Sequence, residues 1–134
     1  MRIDDTNGKI INTREIYIHD DILLNFHFDR NNRNLRLIVK EFRSKDNREY
    51  LINFVNVIGF DMTACDFWGE DERILDFEYV ECRDRVLMSR LLDRKNKIPN
   101  SMDEILEKSY IETLITFCSG DQLRIASEYI LFEK

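Results

Sequence analysis

His19, Asp20 and Asp21 place an imidazole beside two carboxylates. Such a set could offer ligands to a metal. The spacing argues against a metal. The three residues lead into an alternating strand, where neighbours point to opposite faces. Asp20 and Asp21 read instead as turn or edge positions. A nucleophilic cysteine needs a basic partner. Cys65, Cys82 and Cys118 form no CxxC or CxxH pair, and nothing ties His19 or His27 to a thiol. The three read as reduced, unpaired structural thiols, with no zinc site expected. The four glycines are isolated, so no phosphate cradle forms, and neither a nucleophile elbow nor HExxH is present. The 26 acidic residues must give many carboxylate pairs, but spacing marks none of them. No catalytic residue, metal or cofactor is assigned, and a non-enzyme is expected.

Charge is the stronger signal. The formal net charge is −6 over 134 residues, which argues against nucleic-acid binding through a basic face. Its distribution is uneven. Arg30 to Arg48 carries seven bases against Glu41 and Asp46, whereas Asp66 to Glu81 carries seven acids against Arg73 alone. A solvated sheet face accounts for both. The alternative is an acidic patch aimed at a basic partner. Trp68 lies within that acidic run, either packed in a core or loop or exposed as an anchor for a partner. The candidate partner-binding residues are therefore Asp66, Trp68, Glu70, Asp71, Glu72, Asp76 and Glu78.

The elements that must position these residues read mostly as strands. A 16.2 kDa chain fits one domain, residues 1–134, and needs no metal or disulfide to bury a core. One proline and four glycines leave the turns to Asn and Asp. Residues 22–28 alternate, with Ile22, Leu24, Phe26 and Phe28 on one face. An Asn-rich turn leads to 35–43, with Leu35, Leu37 and Val39 on one face, which makes a hairpin. A third strand spans 49–58, with Tyr50, Ile52 and Phe54 aligned and Gly59 marking a bulge or bend. Residues 74–80 set Leu75, Phe77 and Tyr79 against Asp76 and Glu78. The stretch 83–98 fits a short helix or an irregular strand. Ser101 and Glu104 form a capping box for a helix over roughly 102–108. Strands over 110–118 and 122–132 follow, the last with a bulge near Ala126 to Tyr129.

The expected fold is mainly β, with α+β also open. It is an antiparallel sandwich or strongly curved sheet of about six strands with one or two short helices. Leu24, Phe26, Leu37, Val39, Ile52, Phe54, Leu114 and Ile125 are its expected core. No apolar run approaches a membrane span and the start, MRIDDTNGK, does not read as a secretory signal, so a cytoplasmic protein is expected.

Several short elements carry a resemblance. They are His19-Asp20-Asp21-Ile22, Phe54-Val55-Asn56-Val57, Trp68-Gly69, and the closing Ser119-Gly120-Asp121-Gln122-Leu123-Arg124-Ile125 with Glu128 and Ile130. The chain resembles small bacterial β-rich proteins with an opening His-Asp element and a closing Gly-Asp-x-Leu-x-Ile hairpin. Some of these are similar to immunity proteins of polymorphic-toxin and contact-dependent inhibition systems. The resemblance implies a protein-binding module that neutralises a toxin domain, and it carries no catalytic residues. A small-ligand binder or enzyme with a pocket in the mouth of a curved sheet is the alternative. A homodimer through an exposed sheet edge is a third.

Overall fold

A computed structural model describes residues 1–43, 45–63, 72–97 and 108–134. Among these residues, seven strands form one antiparallel sheet: β1 (Arg2–Ile3), β2 (Ile22–Asp29), β3 (Asn34–Lys40), β4 (Glu49–Met62), β5 (Glu72–Tyr79), β6 (Ile111–Phe117) and β7 (Gln122–Phe132). One α-helix, α1 (Leu87–Lys97), follows β5, and 3-10 turns occupy Gly8–Asn12 and Cys82–Asp84. The stretch left open as a helix or an irregular strand is thus α-helical over Leu87–Lys97. The capping box at Ser101 and Glu104 lies outside the described residues. Among those described, no helix is long and apolar enough to cross a membrane.

The sheet closes on itself. Its order is β1-β7-β4-β3-β2-β5-β6, and β6 pairs back onto β7. Two meanders, β2-β3-β4 and β5-β6-β7, are joined by the long β4–β7 ladder and by a short seam. That seam has two residue pairs, Ile22 with Arg73 and Leu23 with Glu72. The curvature puts alternate side chains inside. Leu35, Leu37, Ile52, Phe54, Ile74, Ile115, Phe117, Leu123 and Ile125 are fully buried, so the interior is a packed core.

Asn and Asp shape the turns, as their scarcity of glycine and proline competitors demands. Asp29 accepts hydrogen bonds from the Asn31 and Asn32 amides at 3.0 and 3.3 Å and from Asn32 Nδ2 at 2.8 Å, closing the β2–β3 turn. Asn47 and Asp20 take positive φ at 49° and 69° outside the strands, as Arg33 does at 54° in the β2–β3 turn, whereas Asn56, at 51°, does so within β4. Gly120, at φ 92°, makes the β6–β7 turn, where a side chain would be strained.

Three bulges break the alternation. Leu24 is the extra residue of β2 against β3, Leu75 of β5 against β6, and Ile58 of β4 against β7. Their consequence is a partial correction of the expected core. Leu37, Val39, Ile52, Phe54 and Ile125 are buried, but Leu24 and Phe26 are exposed and Leu114 is half-buried. Leu24 is expelled by its bulge. Phe26 shares a face with its cross-strand partner Leu37 but lies beyond the two-pair seam. The bulge expected in β7 belongs to β4, at Ile58 beside Gly59, opposite the buried pair Ala126 and Ser127.

Candidate functional site

The acidic run divides at the start of β5. Asp66, Trp68, Glu70 and Asp71 lie outside the described residues. Glu72 opens β5. The Leu75 bulge then turns Asp76 and Glu78 outward, opposite Thr116 and Leu114, while Ile74 and Phe77 fill the core. The Phe77 amide donates to Asp76 Oδ1 at 2.9 Å. Among the described residues, neither Asp76 nor Glu78 has an ion pair; Glu81, further on, lies 3.8 Å from Lys9.

Beside these acids runs a cleft of about 460 Å³ between residues 11–19 and β5. Asn12, Thr13, Arg14 and His19 line one side, and Asp76 and Glu78 the other. The segment is pinned at both ends. Asn12 Oδ1 accepts the Tyr79 amide at 2.9 Å and its Nδ2 donates to the Tyr79 carbonyl at 3.5 Å, so one side chain mimics a neighbouring strand. Gly8 lies under the same ring. A Cβ there would stand 2.5 Å from Tyr79 Cε2, and glycine permits this approach. At the other end His19 Nδ1 is 2.8 Å from the Leu75 carbonyl. A carbonyl only accepts, so this nitrogen carries the proton.

Asp21 organises the next layer. It is buried, and it accepts from the Phe42 amide at 3.1 Å, the Tyr50 hydroxyl at 2.6 Å and Lys134 Nζ at 2.8 Å. Lys134 also donates to the Tyr17 carbonyl. Burial, and then the adjacent Asp21 carboxylate, push the Tyr50 hydroxyl far above the usual tyrosine range. With three donors on its carboxylate, Asp21 is a clamp joining the start of β2, the β3–β4 turn, β4 and Lys134. The sequence suggests a turn or edge position for both aspartates; Asp20 holds the turn, and Asp21 is buried beneath.

Glu112 was not singled out in the sequence at all. It is fully buried on β6 and accepts from the amides of Val86, Leu87 and Met88 at 2.9, 2.8 and 3.1 Å, capping α1 from another element. Arg124 Nη1 completes the set at 2.8 Å. Its one sequence signal is an acid inside YIETLITFC, a run with no polar alternation to give it a wet face.

Cys82 and Cys118 are free and exposed, and Cys65 lies outside the described residues. Among the described residues no three His, Cys, Asp or Glu side chains converge to hold a metal. No family model, no curated protein and no solved structure matches the chain.

Proposed function

We propose that this chain is a non-catalytic protein-binding module, an acidic immunity protein that neutralises a basic toxin domain. The carrying observation is the pair Asp76 and Glu78, which stand on the outer face of β5 without an ion pair among the described residues. Like charge held this way costs the free protein little when solvated, and a partner supplying Lys and Arg relieves it. Such a partner is steered in fast at low salt. The filled interior supports the same reading, because it leaves the outer surface to do the binding.

The test is affinity capture from the native organism, with the wild type and Asp76→Lys/Glu78→Lys as parallel baits. The expected result is a basic protein retained by the wild type, released by salt and missing from the variant. A partner held equally by both makes the acids a solvated face. The 460 Å³ cleft favours a second reading, a small-ligand binder. Recovery of a bound metabolite and no protein would replace the first reading with that one.

A further inference from the structure

Backbone parity along β5 opens one carbonyl to the cleft beside it. The Val80 amide, just past the strand, donates to the Glu112 carbonyl at 2.9 Å. Asp76, Glu78 and Val80 therefore turn their backbone to β6, and Leu75, Phe77 and Tyr79 turn theirs to the other edge. That edge is covered at both ends, where His19 Nδ1 meets the Leu75 carbonyl and Asn12 brackets Tyr79. Phe77 lies between them. Its amide is taken by Asp76 Oδ1, and its carbonyl faces the cleft with no donor among the described residues. A buried residue's carbonyl placed this way is an acceptor that a ligand N–H would satisfy.

The charges around that carbonyl select the occupant. Asp76 and Glu78 stand on the β5 side of the cleft and Arg14 on the other. None of the three makes an ion pair among the described residues, so the two signs face each other unneutralised. Beneath them the floor is apolar, formed by the core side chains Ile16, Ile18 and Phe77. A ligand that is only a cation would be opposed by Arg14, and one that is only an anion would meet two carboxylates. A zwitterion satisfies both walls. We propose that the cleft binds a free α-amino acid with an apolar side chain. Its ammonium donates to the Phe77 carbonyl between Asp76 and Glu78, its carboxylate pairs with Arg14, and its side chain lies on Ile16 and Ile18. The volume of about 460 Å³ is that of a small-molecule site. The inference rests on the small-ligand reading of this cleft and is independent of the toxin-directed one.

Isothermal titration of the full chain with L-leucine tests it, against L-leucinamide, which lacks the carboxylate, and N-acetyl-L-leucine, which lacks the ammonium. L-leucine is expected to bind, and each analogue to bind more weakly by about tenfold or more. Amide shifts in a parallel NMR titration should fall on Arg14, Asp76 and Phe77. Arg14→Gln, its fold verified by circular dichroism, should weaken L-leucine without weakening L-leucinamide. The analogue series on the wild type decides the matter if that variant misfolds. No heat and no shift with L-leucine, L-methionine or L-phenylalanine at about 10 mM overturns the proposal. So does equal binding of L-leucine and L-leucinamide, which would make the cleft a cation site. Native mass spectrometry of the protein from its own organism separates this inference from the reading beneath it. A bound molecule of another class overturns the amino acid and leaves the small-ligand reading standing. A protein that carries no small molecule and ignores the amino acids overturns both.

Discussion

Glu112 Oε1 accepts the Leu87 amide at 2.8 Å, so a carboxylate on β6 closes the first turn of a helix that begins 25 residues earlier. Val86 precedes α1 and has no side chain able to cap it, leaving the orphan amides to Glu112. The same carboxylate meets Arg124 from β7, so one buried group ties the helix to two strands. Removing it strands both the amides and the guanidinium. Glu112→Ala is expected to cost about 3–5 kcal/mol, the usual loss on breaking a buried pair from one side. Urea denaturation measures the total. Hydrogen exchange at Val86, Leu87 and Met88 should accelerate beyond that of β3, which a merely global loss would not produce.

Phe54 is fully buried, and its loss leaves a cavity lined by core side chains. Phe54→Ala should cost about 3–5 kcal/mol, whereas Leu24→Ala should cost less than about 1 kcal/mol because that side chain is already in solvent. Equal midpoints for the two variants would contradict the register of β2 against β3.

That contrast also marks what the sequence can convey. Period-two alternation located β3 and the first half of β4, where Leu35, Leu37, Val39, Tyr50, Ile52 and Phe54 all point inward. It misplaced Leu24 and Leu75, because a bulge adds one residue and breaks the alternation there without changing residue types. Closure of the sheet was equally hidden, since the seam between distant strands rests on two pairs. Of the acidic run, charge and alternation both marked Asp76 and Glu78, which are exposed, while the bulge moves Leu75 out to the same side. Glu112 carried little signal, and Asp21 reads from sequence as a turn or edge residue, because a buried acid is defined by its donors, and those come from residues 12 to 113 positions away.

Asp29 gives an acid-side test of the β2–β3 turn. Hydrogen bonds from the Asn32 side chain and backbone, and from the Asn31 amide, hold its carboxyl below the usual 3.8. The folded value is lowered, so this stabilisation is fully present above the ordinary carboxylate range. It is lost as pH falls through the folded value. A carboxyl carbon titration by NMR should place the Asp29 midpoint below those of acids without donors. Asn32→Ala should move that midpoint back up. An Asp29 midpoint at the ordinary value would show that the turn is not held this way in solution.

Tyr50 gives the opposite signature on the alkaline side. Its hydroxyl is raised above the ordinary tyrosine value of 10.0, chiefly by burial and then by the Asp21 carboxylate it donates to at 2.6 Å. The unfolded chain releases this proton near the ordinary value, while the folded chain keeps it. The contribution is therefore intact below about pH 10 and is lost progressively above it. Tyr50→Phe removes the titrating group, so it should flatten the fall in stability above that pH. At neutral pH the same variant should cost about 1–3 kcal/mol, because Asp21 keeps Lys134 and the Phe42 amide but loses a charge-assisted bond. Asp21→Ala should cost more, about 3–5 kcal/mol, since it leaves the lysine without its carboxylate. Denaturation midpoints of the three proteins from neutral to alkaline pH check both effects. A wild type and Tyr50→Phe that lose stability in parallel above pH 10 would mean that the Tyr50 hydroxyl is not sequestered against Asp21.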